Sequence, residues 1–391
     1  MKKTIAITSA LAAASSLATA EIKINEFLSF SGFVDASYSN TNAEFGVNED
    51  ADNSFGIDQV EIDWLFNFGK VTAQVDLEYE EGTDSTEVEQ AFVNYDLGNG
   101  LVITTGRYES VLGLEAKEPT GLYQYSTAYD FGTAGTVGLG DQNINPQYGQ
   151  GVKLTKTSGD NVYSLSIQDE SFEADADRLG GSGDSSYSIE GGASIALSDE
   201  LTWFIGGATE DADAGDSYVI NTHLTYASGA WTYGAELSYG ESDIIAVDDA
   251  GDTAINTNVV DTVGEAALDV PGVTAWNGLS ESASGNSETL QALIMANYAY
   301  SDCCSVTARI SYHDSDRDIA GTLNTNVGPL EFEESLNYEV LKYTLAHNYA
   351  VTDNLAIITE VSYVDGEATI NGVGSTDIEA LTGAVEVLFT F

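Results

Sequence analysis

The chain has 391 residues, of which 63 are acidic and 12 basic, for a formal net charge of −51. That balance excludes a nucleic-acid binder, whose surface must be basic to displace counterions from phosphate, and argues against a pore built to attract phosphate. Such acidity is also a mark of intrinsic disorder, but 43% hydrophobic and 10% aromatic residues are enough to build a folded structure.

The first segment in chain order reads as a processing signal. Lys2 and Lys3 form a basic n-region, an Ala-rich apolar stretch runs from Ile5 to about Leu17, and Ala18-Thr19-Ala20 supplies the small-x-small cleavage pattern. Read as a membrane helix, the stretch is too short and too rich in Ser and Thr, because crossing hydrocarbon takes about 20 apolar residues. Cleavage after Ala20 leaves a chain of 371 residues beginning at Glu21, and loss of the two lysines moves its net charge from −51 to −53. Beyond residue 20 there is no long apolar run, and the mean hydropathy is −0.09. The chain therefore either stays in water or crosses lipid as a closed β-barrel, the other structure that satisfies its own backbone in hydrocarbon. No Pro- or Ser-rich linker divides residues 21–391, which read as one barrel domain.

From there the dominant pattern is period two. Val60, Ile62, Trp64, Phe66 and Phe68 share one face, and Gln59, Glu61, Asp63 and Asn67 the other. Alternation of this kind puts the two sets on opposite sides of a sheet. Ala73, Val75, Leu77 and Tyr79 against Thr72, Gln74, Asp76 and Glu78 repeat it, as do Tyr218, Ile220, Leu224 and Tyr226 against Asn221, His223 and Thr225. Continued along the chain, the pattern predicts about sixteen strands, near 28–38, 56–68, 71–80, 87–97, 101–109, 148–157, 161–170, 186–198, 200–210, 217–228, 230–240, 289–300, 304–314, 337–349, 355–364 and 378–391. Each has about the length a tilted membrane strand needs.

Connections alternate as well. Short turns fall at 68–70, 98–100, 158–160, 198–200, 228–230, 302–303 and 352–354, and long connections near 39–55, 110–147, 171–185, 241–288, 315–336 and 365–377. Short turns at one end and long loops at the other are the layout of an outer-membrane barrel, with both termini on the periplasmic side. Tyr38, Tyr79, Tyr108, Tyr218, Tyr239, Tyr312 and Tyr363 sit at long-loop ends, and Phe66, Tyr95, Tyr163, Tyr226, Trp231, Tyr300 and Tyr349 near short turns. Two belts of amphipathic rings suit two bilayer interfaces. A soluble β-sandwich also alternates, but has no need of rings at both strand ends. The predicted fold class is all-β, a transmembrane antiparallel barrel of about sixteen strands.

The chain closes on Gly383, Val385, Val387, Phe389 and Phe391 on one face of a final strand. With Phe30-Ser31-Gly32-Phe33 near the start and Gly106-Arg107-Tyr108 leading into Val111-Leu112-Gly113, this layout resembles the Gram-negative porin family over essentially the whole of 21–391. Val88-Glu89-Gln90-Ala91-Phe92-Val93-Asn94-Tyr95 is similar to a related group of β-barrel porins. The resemblance implies residence in the bacterial outer membrane among lipid and lipopolysaccharide. It also implies insertion by the barrel assembly machinery, with Phe389 and Phe391 as its signal, and a homotrimer.

In porins of this type the loop after the fifth strand folds inward and narrows the channel; here that is 110–147, with Glu115, Lys117, Glu118 and Asp130 as its candidate charges. Its composition fits partial burial: four acids, several Gly, and Tyr123, Tyr125, Tyr129 and Phe131, whereas 241–288 holds ten acids and no Lys or Arg. An ordinary surface loop is the other reading of 110–147. Alternation turns Asp35, Glu61, Asp63, Asp76, Glu78, Glu236 and Glu360 inward, together with Arg107, Lys153, Arg309 and Lys342. Related porins set a basic wall cluster against an acidic loop; these basic patches are thinner, and the acidic excess points to cation preference, since acidic rings select cations. The expected function is passive diffusion of small hydrophilic solutes and ions, and the alternative is a structural or adhesive barrel with a closed lumen.

Other residues carry less. The acidic runs 48–53, 173–177 and 211–216 have oxygens that suit loop-bound Ca²⁺ or Mg²⁺, though none has EF-hand spacing, and plain solvation explains them as well. No other cofactor is expected. Cys303 and Cys304 are adjacent at a short turn, either a vicinal disulfide or two thiols. His223, His313 and His347 all lie in predicted strands and form no nucleophile–base spacing, so no enzyme is expected.

Overall fold

The computed structural model describes residues 21–80, 86–135, 137–169, 171–172, 187–212, 215–246, 276–279, 283–325, 328–370 and 374–391. The segment 1–20 expected to be a processing signal, and the acidic run at 173–177, lie outside them. Sixteen strands form the wall: β1 Leu28–Phe45, β2 Asn48–Asn67, β3 Val71–Glu80, β4 Thr86–Gly98, β5 Leu101–Glu109, β6 Tyr148–Ser158, β7 Asn161–Gln168 and β8 Tyr187–Ala196, followed by β9 Leu201–Ala212, β10 Gly215–Ser228, β11 Trp231–Ala246, β12 Ala283–Ser301, β13 Cys304–Thr325, β14 Gly328–Thr352, β15 Leu355–Ile370 and β16 Gly374–Thr390. Each pairs antiparallel with the next, and β1 pairs with β16, so the sheet closes without an edge. Closure removes the unpaired backbone row that lipid could not satisfy. One short extra strand, Trp276–Leu279, pairs with the far end of β13, and Ile22–Lys23 pairs with the start of β1.

Side chains are distributed inside out. Along β10, Ile220 and Leu224 are about half exposed (53% and 44%), while Asn221 between them is fully buried at 0%. Leu345 and Val361 are each 58% exposed; Lys342, Glu360, Ser311 and Gln291 are buried. In water such an arrangement would forfeit the hydrophobic effect; against lipid, the apolar outer face is solvated and the polar face is turned to the interior. Aromatic rings on the outer face, among them Tyr95, Tyr163, Trp231, Tyr300 and Tyr349, are likewise about half exposed. Tyr108 departs from the expected belt: it is 2% exposed, turned inward beneath Lys153, whose Nζ lies 4.1 Å from the ring centroid.

The seam is built on Gly32. Phe391 N donates to Gly32 O and Gly32 N to Phe391 O, both at 2.9 Å, so the last residue completes the β1–β16 pairing. A Cβ at Gly32 would fall 2.2 Å from Glu61 O and 2.9 Å from the Phe391 ring, so the close approach requires glycine. Phe391 packs against Phe30 and Phe389, at 6.2 and 6.0 Å between ring centroids.

Three of the expected long connections are largely strand. β1 and β2 stay paired from Tyr38 with Phe55 out to Phe45 with Asn48, turning at Gly46 (φ +64°). Pairing of β13 with β14 runs to Thr325 with Gly328, and that of β15 with β16 to Ile370 with Gly374. Alternation could not reveal these extensions. Along Asn48–Phe55 exposure is unbroken, so both faces of that strand meet water and the period-two signal vanishes there.

Candidate functional site

Residues 110–147 leave the wall at the end of β5 and run inside the barrel. Ser110 N donates to Gln147 O at 2.8 Å and pinches the base of the loop. Two apolar clusters then hold it against the inner wall. Val111 and Leu112 pack with Phe204, Ala208 and Val219. Leu114, Tyr123, Ala128, Tyr129 and Phe131 pack with Leu293, Met295, Val340, Val364, Ile378 and Ala380. Gly206 makes room for the first cluster: a Cβ there would lie 2.7 Å from Phe204 and 2.8 Å from Leu112.

A buried loop must satisfy its backbone, and the wall supplies the partners. Acidic wall residues accept from loop N–H groups: Val111 N to Glu190 on β8 at 3.1 Å, Leu114 N to Glu236 on β11 at 2.7 Å, and Ser126 N to Glu360 on β15 at 3.1 Å. Ser110 and Ser126 hydroxyls donate to Glu190 and Glu360, each at 2.5 Å. Basic wall residues donate to loop carbonyls: Arg309 on β13 to Thr127 O at 2.9 Å, and Lys342 on β14 to Thr127 O at 3.0 Å and Asp130 O at 2.5 Å. Arg309 also forms the single ion pair among the described residues, with Glu115 at 2.5 Å. Glu115 in turn accepts from Gln124 at 2.5 Å and Ala128 N at 2.7 Å. Glu236, Glu360, Arg309 and Lys342 thus face the interior, but their charges are covered by the loop and committed to holding it.

The loop's other charges are inside as well. Lys117 donates to Leu112 O at 3.3 Å and Pro146 O at 3.0 Å; burial pushes its ammonium below the usual lysine range, opposed by Glu109 and Glu236. Asp130 accepts from Gly132 N at 2.9 Å and turns the chain. A cavity of about 250 Å³ on the long-loop side is lined by Thr41, Tyr125, Ser126, Asp130, Lys342 and Thr382. A smaller one of about 120 Å³, lined by Tyr123, Asn297, Cys303, Asn348 and Ile358, opens at the short-turn end. Residues 123–126 run between the two.

A second concentration of charge lies on β2–β4. Register sets Asp63 opposite Asp76 and Glu61 opposite Glu78. Glu89 joins them because β4 bulges there: Gln90 pairs with Asp76 and Val88 with Leu77, leaving Glu89 over. Glu118 comes across from the loop, accepting from Gln59 at 2.9 Å and from the Tyr148 hydroxyl at 3.1 Å; Tyr148 also donates to Glu89. Burial raises the Glu118 carboxyl above the usual range. Asp35 sits apart, on β1, grouped with Asp58 and Glu386. Arg107 donates from Nε to Glu89 O at 2.8 Å and stands over the Tyr148 ring, while Lys153 donates to Glu109 O at 3.1 Å. Glu89, Glu190 and Glu386 are absent from the sequence-based site. Glu190 and Glu386 were readable from alternation; Glu89 was not, since a bulge shifts the parity that alternation relies on. Cys303 and Cys304 are free, with sulfurs 3.1 Å apart.

Comparison with known proteins agrees with the architecture. The chain is similar to the outer membrane channel DcaP of Acinetobacter baumannii, at 12% identity, covering 93% of this chain and 97% of that one with a TM-score of 0.52. It is similar to OmpTdeltaL8, a loop L8 deletion mutant of the outer membrane protein OmpT of Vibrio cholerae, at 12% identity, covering 93% and 99% with a TM-score of 0.51. At that identity the likeness concerns the fold alone. No curated protein matches the chain. A family model does match, over residues 28–391, and it is described as putative beta-barrel porin-2, OmpL-like. Closed sixteen-strand barrel, inside-out wall and family match together place the protein in the bacterial outer membrane, and the chain belongs to the OmpL-like beta-barrel porin-2 family.

Proposed function

We propose that the barrel is a water-filled channel for passive diffusion of small hydrophilic solutes and ions, that it prefers cations, and that 110–147 is its constriction. Family membership supports the channel role. The observation that carries the cation preference is the carboxylate group Glu61, Asp63, Asp76, Glu89 and Glu118 on the inner wall beside the loop, where Arg107 is the neighbouring cation and gives its Nε to a backbone carbonyl. Charge of one sign in a low-dielectric lumen raises the local concentration of counter-ions. Measured in planar bilayers under a salt gradient, the reversal potential takes the sign of cation permeation; an anion-selective potential overturns the charge argument.

A closed structural or adhesive barrel is the second reading, favoured by the tight packing of Leu114, Tyr129 and Phe131, each at most 3% exposed. Absence of single-channel conductance decides for it. The porin reading carries a homotrimer, insertion by the barrel assembly machinery through Phe389 and Phe391, contact with lipopolysaccharide, and no catalytic role; gel mobility of unboiled protein tests the trimer.

A further inference from the structure

We propose that Glu61, Asp63, Asp76, Glu89 and Glu118 bind calcium on the inner wall of the barrel, with Glu61 shared between two triads, and that the cation staples the start of the 110–147 loop to β2–β4. Two sets of carboxylate oxygens, Glu61–Asp63–Asp76 and Glu61–Glu89–Glu118, each lie within 4.8 Å of one another. Four of the five come from the wall and Glu118 from the loop.

Burial makes the group more than a solvated acidic face. Asp76 is 0% exposed, Glu61 3% and Glu89 7%. Asp76 accepts at Oδ2 from Gln74 and Gln90, both at 2.9 Å, and this leaves its buried Oδ1 without a hydrogen bond. Glu89 Oε2 and Asp63 Oδ1 are buried and unpartnered in the same way. Buried carboxylate oxygens normally find a donor, so orphans on Asp63 and Asp76 of the first triad and on Glu89 of the second call for a ligand that accepts their electron pairs. Register adds to the demand, since Asp63 stands directly opposite Asp76 and like charges so placed are destabilising. Among the described residues, no Lys or Arg pairs with any of the five.

The donor set names the class of ion. All five ligands are carboxylate oxygens with no His or Cys, which selects a hard cation over zinc or copper. Oxygens from three strands and a loop give an irregular cage, which suits the flexible six- to eight-oxygen shell of calcium better than the octahedron magnesium demands. Gln59, Gln74, Gln90 and the Tyr148 hydroxyl hold the carboxylates from behind, in the way outer-shell partners orient metal ligands. The site does not depend on the channel being open, because binding is read without conductance.

Equilibrium dialysis of radioactive calcium against the purified, chelator-stripped full barrel tests it. Saturable binding is expected, with a calcium-dependent rise in the unfolding temperature. E61Q and D76N are each expected to weaken binding by about 10–100-fold, while D50N/D52N on the outer hairpin leaves it unchanged. E118Q, in the loop and outside the strand ladder, reports the same loss should a wall variant fail to assemble, with assembly judged by the mobility of unboiled protein. No saturable binding by the unmodified protein at millimolar calcium overturns the proposal and leaves shared protons to neutralise the group. Unchanged affinity in E61Q, D76N and E118Q, or loss only in D50N/D52N, overturns it equally.

Discussion

Arg309→Met removes the one described ion pair of the interior and gives the sharpest test of how the loop is held. Arg309 is 1% exposed and reaches Glu115 at 2.5 Å, Thr127 O at 2.9 Å, and the hydroxyls of Ser126 and Thr344 at 3.4 Å. Methionine fills a similar volume without a donor. Breaking a buried pair from one side costs about 3–5 kcal/mol, because the remaining charge stays buried without its partner. Glu115 keeps Gln124 and Ala128 N, and Thr127 O keeps Lys342, so the lower end, about 3 kcal/mol, applies. That shifts the balance between docked and undocked loop by about a hundredfold. Limited chymotrypsin digestion of the folded barrel, with nicks located by mass spectrometry, reads the shift: cleavage within 110–147, at Tyr123, Tyr125, Tyr129 or Phe131, should accelerate by that order, since cleavage follows the open population when opening is fast. E115Q/R309M should recover most of the loss, because both charges are gone. A cleavage rate for R309M equal to that of the unmodified protein, or no coupling in the double-mutant cycle, refutes the view that the ion pair anchors the loop.

Leu345→Arg puts a charge at a lipid-facing position 58% exposed; the barrel should lose about 2–4 kcal/mol in lipid-based unfolding titrations, and a neutral effect would place this face in water. Gly32→Leu forces a side chain into the space held by Glu61 O and the Phe391 ring; the fraction refolding to the fast-migrating barrel form on unboiled gels should collapse, and normal yield would show that the seam tolerates a wider spacing.

Strand number and order were legible in the sequence because hydrocarbon on one side and a polar interior on the other impose period two wherever a strand crosses the bilayer. Ile220, Asn221 and Leu224 alternate for that reason, and so do the residues of the terminal strand up to Phe391. Where water bathes both faces, as along Asn48–Phe55, the constraint lapses, and the outer extension of β2 left no such mark. Composition alone distinguished 110–147 from the acid-rich connection 241–288. What only the tertiary structure decided is where the interior charges are directed. Alternation assigns Glu236, Glu360, Arg309 and Lys342 to the inner face, but whether an inward charge meets water or a loop backbone depends on contacts over a hundred residues apart in the chain. The meeting of Glu118 with Glu61 and the bulge that turns Glu89 toward them belong to the same kind. Periodicity is a local property of one strand, whereas a cluster of charges is a property of the register between strands and of a loop's path through the space they enclose.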